Sequence, residues 1–200
     1  TFIASNSQRF KWYYLWMAAS SVLLFTLWYG WSLNGGDISY GRLNKIPYVE
    51  IQWYHAAAPA ILLLLTRFGI PVSTTFLVLS AFASSIVFEK MLVKSILGYG
   101  LAAVIAYIMW FVIARFLDEK RSPIKKRHES YWRVAQWCTT GFLWYTWLSH
   151  DLANIAVYLP RSLPVSWMIA VSIIFTSFLA WIFYEKGGRI QKIVLEKSTT

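Results

Sequence analysis

The sequence predicts an all-α protein: a multi-pass transmembrane helical bundle of about six membrane segments, forming one domain over residues 1–200. Of these residues, 58% are hydrophobic and 14% are charged, which is more apolar surface than one soluble core of this size can bury. The chain also holds 12 Trp and 12 Tyr, many near the ends of apolar runs, as in the aromatic belts of membrane interfaces. We therefore expect an integral protein of the cell membrane, with the lipid bilayer as its first partner.

The apolar runs define the predicted segments, whose bounds are 12–33, 51–66, 71–88, 95–116, 131–149 and 164–184. A hydrocarbon core about 30 Å thick needs about 20 helical residues, and four of the runs come close to or exceed that length. A charged connection is predicted at 89–94. Because residue 1 is Thr, we expect the sequence to be a processed product or part of a longer chain.

The runs 51–66 and 71–88 are shorter than the others. At 1.5 Å per residue the first of them reaches only about 24 Å. A polar turn containing Gly69 and Pro71 joins the two runs. Two thin spans or one re-entrant helical hairpin over 51–88 would both fit, and both return the chain to the same side of the membrane.

The loop charges predict the orientation. With the N-terminus inside and six alternating segments, 14 Lys and Arg residues fall inside and 5 fall outside, as the positive-inside rule requires. Both termini and the loop 118–129 are therefore predicted to be cytoplasmic, and Ser39 is expected to be reachable from outside. Topology and anionic lipid headgroups explain the net charge of +10 better than nucleic acid does.

Three hydroxyl residues, Ser73, Thr74 and Thr75, follow Pro71 at the start of a predicted helix. Pro71 suits the first helical turn, because its missing N–H needs no partner there. A helix N-terminus carries free N–H donors and partial positive charge that can hold an anion, and the broken helices of transporters present such ends at mid-membrane. A cytoplasmic turn in which the hydroxyls only cap the helix fits the same residues.

Two polar residues, Asp151 and Asn154, lie near the outer end of the fifth run. They are one helical turn apart, so a helix would place both side chains on the same face. A carboxylate beside a carboxamide oxygen can ligate Na⁺, and an Asp can instead carry a proton. The alternative is a carboxylate that is simply hydrated at the mouth of the span.

Enzymatic activity is not expected. His150 has no nucleophile beside it, and His55 fits a polar interfacial cluster with Gln52 and Tyr54. The single Cys138 excludes a cysteine-based metal site. No catalytic residue, metal site or cofactor is predicted apart from a Na⁺ ion, and the sequence leaves open whether a histidine ligates a haem or pigment.

Two short motifs resemble signatures of the inorganic phosphate transporter (Pit-type) family. Residues 71–75, Pro-Val-Ser-Thr-Thr, match one signature, and residues 149–154, Ser-His-Asp-Leu-Ala-Asn, are similar to the Gly-Ala-Asn-Asp-Val-Ala-Asn signature. The match is partial and divergent, since His150 replaces an Asn, Phe76 stands where a His usually follows, and each motif occurs once within these 200 residues.

The resemblance implies roles for five residues. Ser73, Thr74 and Thr75 would contact phosphate together with Asn154, and Asp151 would bind Na⁺ or H⁺. It also implies that 51–88 is re-entrant. We therefore expect a multi-pass transporter-like protein for inorganic phosphate or another small anion, coupled to Na⁺ or H⁺. The alternative is a non-enzymatic transmembrane subunit of a larger membrane assembly, with other membrane subunits as partners.

Overall fold

The computed structural model describes residues 10–70, 72–116 and 129–187, and this part of the chain is helical with no strand. The predicted all-α fold is confirmed. The α-helices are α1 (Trp12–Leu33), α2 (Ala57–Arg67), α3 (Thr74–Ser80), α4 (Ser85–Phe116), α5 (Glu129–Ala156) and α6 (Val165–Tyr184). Short 3₁₀ turns occupy Arg42–Lys45 and Trp53–Ala56.

The helices α1, α5 and α6 pack together as the core of the fold. α1 contributes one buried stripe of residues spaced three or four apart, which is the period of a helix face. Its members are Leu15, Ala19, Leu23, Thr26, Leu27 and Gly30. α6 faces this stripe with Met168, Val171 and Phe183.

Aromatic contacts fix the directions of these helices. The ring of Trp12 lies 5.6 Å from that of Tyr184, so α1 begins beside the end of α6 and the two are antiparallel. Phe10 lies 5.4 Å from Trp137, and Phe25 lies 5.9 Å from Tyr145, so α5 runs parallel to α1. The start of α1 and the end of α6 therefore share one end of the bundle.

Hydrogen bonds join the two connections at the other end of the bundle, residues 34–50 and 157–164. The backbone N–H of Leu163 donates to the carbonyl of Gly36 at 3.0 Å, and the indole N–H of Trp31 donates to the carbonyl of Leu163 at 2.8 Å. Arg161 Nη2 donates to the carbonyl of Ile46 at 3.0 Å. Backbone groups in both connections are thus satisfied, as burial requires.

The loop after α1 folds back against α1. Tyr40 donates its hydroxyl to the carbonyl of Thr26 at 2.6 Å, and burial raises the pKa of Tyr40, so the hydroxyl keeps the proton that it donates. Asp37 shapes the turn by accepting from the N–H and the hydroxyl of Ser39, both at 2.7 Å. Ser39 is 0% exposed. The expectation that Ser39 can be reached from outside is therefore wrong.

α2 and α3 are too short to span a bilayer. Of 11 and 7 residues, they are about 16 and 10 Å long, whereas the hydrocarbon core is about 30 Å thick. α2 ends in a Schellman motif, in which left-handed Gly69 (φ +71) donates to Thr66 and Ile70 donates to Leu65, both at 3.0 Å. The run 71–88 is broken after Ser80, where the chain turns Phe82 into the core. The predicted spans at 51–66 and 71–88 are therefore wrong.

α4 is one unbroken helix of 32 residues, about 48 Å long. The charged connection predicted at 89–94 is wrong, because Glu89, Lys90 and Lys94 lie within this helix and all favour helical backbone. α4 packs against α3, and a Cβ at Gly98 or Gly100 would meet nothing within 4 Å.

Two helices in the described ranges, Ser85–Arg115 and Val165–Tyr184, are long and apolar enough to cross a membrane. Six membrane segments are not supported. The predicted helix at 12–33 is found with those bounds, and the one predicted at 164–184 begins one residue later. The predicted cytoplasmic loop 118–129 falls almost wholly outside the described residues.

Gly36 tests the junction between the two connections. Its φ is +97, and a Cβ there would lie 2.6 Å from Ser162 Oγ and 3.2 Å from the backbone N of Leu163. We expect Gly36→Ala to lower the free energy of unfolding by about 1–3 kcal/mol, measured by denaturation of the purified chain in detergent.

Gly35→Ala is the matched control. Gly35 also has a positive φ, +60, but a Cβ there meets nothing within 4 Å, so only the backbone cost of about 1 kcal/mol applies. Equal losses for the two variants would show that the junction does not constrain the chain at Gly36.

Candidate functional site

The candidate site depends on α5 continuing beyond the predicted end of its span. The span predicted at 131–149 lies inside a longer helix, Glu129–Ala156, so Asp151 and Asn154 are helical. Leu152, Ala153 and Ala156 on the same turns are at most 4% exposed and belong to the central apolar cluster. Packing of these residues carries the polar ones into the protein interior.

Asn154 meets the segment that carries the hydroxyl residues. Its side chain is 8% exposed, and its Nδ2 donates to Thr75 Oγ1 at 3.2 Å. This bond joins α5 to α3, which pack against each other, and it links residues that are 79 positions apart. The structure thus brings Thr75 and Asn154 together.

The other half of the Asn154 carboxamide has no partner among the described residues. Its Oδ1 is buried, and none of the described residues donates a hydrogen bond to it. A buried acceptor left unsatisfied costs about 1–3 kcal/mol. This oxygen therefore offers a place for a ligand that carries a hydrogen-bond donor.

Ser73 and Thr74 are placed differently from Thr75. Ser73 is the N-cap of α3, and its hydroxyl accepts from the backbone N–H of Phe76 at 3.3 Å. Thr74 is exposed, and Pro71 lies outside the described residues. Ser73 therefore caps the helix, and it uses one of the N–H groups that an anion would need.

A buried aromatic group lies where α3 meets the segments on either side. His55 is 2% exposed and its ring stacks on Phe82 at 4.3 Å. Phe82 also packs edge-on against Tyr158 at 5.0 Å, and Tyr158 donates to the carbonyl of His55 at 3.1 Å. His55 Nδ1 accepts from the N–H of Gln52 at 2.9 Å. His55 is thus a packed core residue rather than part of an interfacial cluster.

The side chain of Asp151 lines a cleft that is separate from the contact between Thr75 and Asn154. Trp144 and Trp147 on α5, Ala19 and Leu23 on α1, and Leu179 on α6 line this cavity of about 250 Å³ with it. The Asp151 side chain is half-buried. Ala19 and Leu23 belong to the middle of α1, whereas Asp151 belongs to the last two turns of α5.

Asp151 and Asn154 therefore do not meet at one site. The carboxamide bonds to Thr75 on α3, whereas the carboxylate faces a cleft whose other lining residues are aliphatic or aromatic. A hard cation such as Na⁺ takes several oxygen ligands, and the residues that line this cleft offer only the one carboxylate.

His150 contacts the loop after α1. Arg42 Nη2 lies 3.2 Å from His150 Nε2, and Arg42 Nε donates to the carbonyl of Ser149 at 3.1 Å. A guanidinium can only donate, so His150 Nε2 is the acceptor and the imidazole is neutral in this contact.

No family model, curated protein or solved structure matches this chain. The resemblance to the phosphate transporters therefore depends on the two motifs alone. The residues that the sequence missed are Trp144 and Trp147, which lie seven and four positions before Asp151. That spacing marks one helix face and would have revealed the cleft, had the helix been extended past residue 149.

Thr75→Val tests the bond between α3 and α5. Loss of the hydroxyl leaves the buried Asn154 carboxamide without its only described partner, so we expect the free energy of unfolding to fall by about 1–3 kcal/mol. Thr75→Ser keeps the hydroxyl and should lose less. Chemical denaturation in detergent measures both, and equal stability of the two variants would contradict the bond.

Proposed function

We propose that this chain is a multi-pass, transporter-like membrane protein that takes a small anion such as inorganic phosphate at Thr75 and Asn154. The observation that carries the proposal is the Thr75–Asn154 hydrogen bond with its unpaired buried Oδ1. It joins the two segments that resemble phosphate transporter signatures. The proposed function involves no enzymatic reaction.

The hydrogen-bonding groups suit a protonated anion. The Thr75 hydroxyl can donate as well as accept, and the Asn154 carboxamide combines two N–H donors with one acceptor oxygen. Dihydrogen phosphate offers both acceptor oxygens and O–H donors, so it can satisfy Asn154 Oδ1. Sulfate at neutral pH has no O–H donor and would leave that oxygen unsatisfied, at the cost of an unpaired buried acceptor.

In the proposed topology, α1, α4, α5 and α6 span the membrane and residues 51–84 re-enter it from outside. α4 and α6 have the length and apolarity for this, and the Trp and Tyr residues near the ends of α1 fit interfacial belts. Relative to six segments, only Arg67 changes place, because it lies within the re-entrant segment, which leaves 13 basic residues inside and 5 outside. Both termini stay cytoplasmic.

The contact between α3 and α5 supports re-entry. Thr75, at the start of α3, bonds to Asn154 near the outer end of α5. If α5 spans the bilayer, residues 51–84 meet it at Thr75 in the outer part of the membrane. Irregular backbone at that depth is tolerated where protein packs around it, as the buried contacts of His55 and Phe82 provide.

Asp151 carries the coupling proton in this proposal. The described residues that line the cleft offer no further side-chain oxygen for Na⁺, so the proton is the coupling ion that suits Asp151. An intramembrane carboxylate of this kind is typical of proton relays.

A non-enzymatic subunit of a larger assembly is the second candidate, and α4 favours it. None of the most apolar stretch of α4 is buried within the described chain. A partner subunit that covers this helix should purify together with the chain in mild detergent. The mass of the purified particle would then exceed that of the monomer.

Phosphate uptake into proteoliposomes tests the leading proposal. Thr75→Val and Asn154→Leu should each lower the uptake of radiolabelled phosphate at least about tenfold, since a hydrogen bond to a charged ligand contributes about 1.5–3 kcal/mol. Excess sulfate should not compete.

Thr74→Val is the matched control for that assay, because Thr74 is the exposed neighbour of Thr75. It should retain uptake, as should Thr75→Ser. Equal uptake by Thr75→Val and Thr74→Val would exclude Thr75 from the anion site.

Cysteine labelling tests the proposed orientation. In a Cys138→Ser background, a membrane-impermeant maleimide should label Leu33→Cys in intact cells, because Leu33 is 62% exposed at the end of α1. Glu185→Cys, exposed at the end of α6, should react only after permeabilisation. The opposite pattern would invert the topology.

A further inference from the structure

We propose that the cleft between α1, α5 and α6 binds the ammonium group of a small organic cation against Asp151 and the indole of Trp147. This site is separate from Thr75–Asn154, and the inference does not rest on anion transport. The ammonium group and the proton proposed for Asp151 are alternative occupants of the same carboxylate.

The carboxylate of Asp151 provides the charge. It forms no hydrogen bond or ion pair with any residue that the structure describes. The neighbouring His150 turns its Nε2 to the Arg42 guanidinium and interacts with the carboxylate electrostatically, without a hydrogen bond between the two side chains. A half-buried carboxylate among apolar side chains is costly, and a bound cation would neutralise it.

The indole of Trp147 determines which cation fits. Trp147 and Asp151 are four residues apart on one face of α5, and Trp is the strongest partner for a cation over its ring face. Ala19, Leu23, Leu148 and Leu179 add aliphatic surface to the lining. Quaternary ammonium ions bind against aromatic rings, because their methyl groups suit apolar surface and their charge needs no oxygen shell. Na⁺ and K⁺ have neither property.

The cavity size limits the ligand. At about 250 Å³ the cleft is smaller than the roughly 300 Å³ of the smallest pockets for drug-sized ligands. A methylated or short-chain alkylammonium group matches this space. Such a group could belong to a free solute or to an amine-bearing lipid headgroup, and the experiment separates the two.

The test is calorimetric titration of tetramethylammonium chloride into the purified full chain in a maltoside detergent, with NaCl and KCl as reference salts. We expect saturable binding of tetramethylammonium that neither reference salt reproduces. Asp151→Asn should weaken it at least about tenfold, because it removes the charge that holds the cation. Trp147→Leu should weaken it about two- to fivefold, because Trp147 is 64% exposed, whereas Trp147→Phe should restore part of the loss.

Matched controls are Glu89→Gln, an exposed carboxylate on α4, and Trp53→Leu, a Trp that is 87% exposed. Both should bind as the unchanged chain does. Binding by Asp151→Asn equal to that of the unchanged chain would overturn the proposal, as would absence of binding or equal heats with NaCl. Retained phosphate binding in that case would leave the anion proposal standing.

Nanodiscs identify the source of the ammonium group. If phosphatidylethanolamine weakens tetramethylammonium binding relative to phosphatidylglycerol alone, a lipid headgroup occupies the cleft. Equal affinity in both lipids identifies a free cation. Either result upholds the site if the Asp151→Asn variant no longer binds tetramethylammonium.

Discussion

The continuation of α5 to Ala156 is the constraint on which the site depends. Leu152, Ala153 and Ala156 pack into the central apolar cluster, and burial of such side chains drives the helix to extend through a polar stretch. The same two turns carry Asp151 and Asn154, so the packing that stabilises the fold also fixes where the polar groups point. One turn of helix is enough to send the carboxamide to α3 and the carboxylate to the cleft with α1 and α6.

The packing of α5 also explains how α2 and α3, the short helices between α1 and α4, are held in place. α3 is only 7 residues long and would be marginal alone, but Val78, Leu79 and Phe82 bury against the central cluster. The break after Ser80 turns Phe82 toward His55 and Tyr158. Thr75 is thereby held at Asn154, with a Schellman turn at Gly69 satisfying the carbonyls at the end of α2. Local capping and distant packing together position one hydroxyl.

The sequence predicted the elements whose signal is local. The helices at 12–33 and 164–184 follow from unbroken apolar runs, and their observed bounds agree within one residue. The segment predicted at 95–116 lies within α4 and ends at the same residue. The start of α4 and the end of α5 were missed because Glu89, Lys90, His150 and Asp151 look like loop residues, although helical backbone accommodates all of them. Thr75 and Asn154 were both candidates, but their contact joins residues 79 positions apart, and no spacing rule reaches that far. The separation of Asp151 from Asn154 depends on which helices pack on each side of α5, which a single sequence does not encode locally.

A crystal structure of the chain at saturating phosphate tests the central claim most directly, namely that Thr75 and Asn154 form an anion site. We expect a tetrahedral anion with oxygens about 2.5–3.2 Å from Thr75 Oγ1 and from Asn154 Oδ1, so that the Asn154 acceptor gains a donor. An unchanged Thr75–Asn154 bond with no anion at either side chain, in crystals that hold phosphate elsewhere, would contradict it.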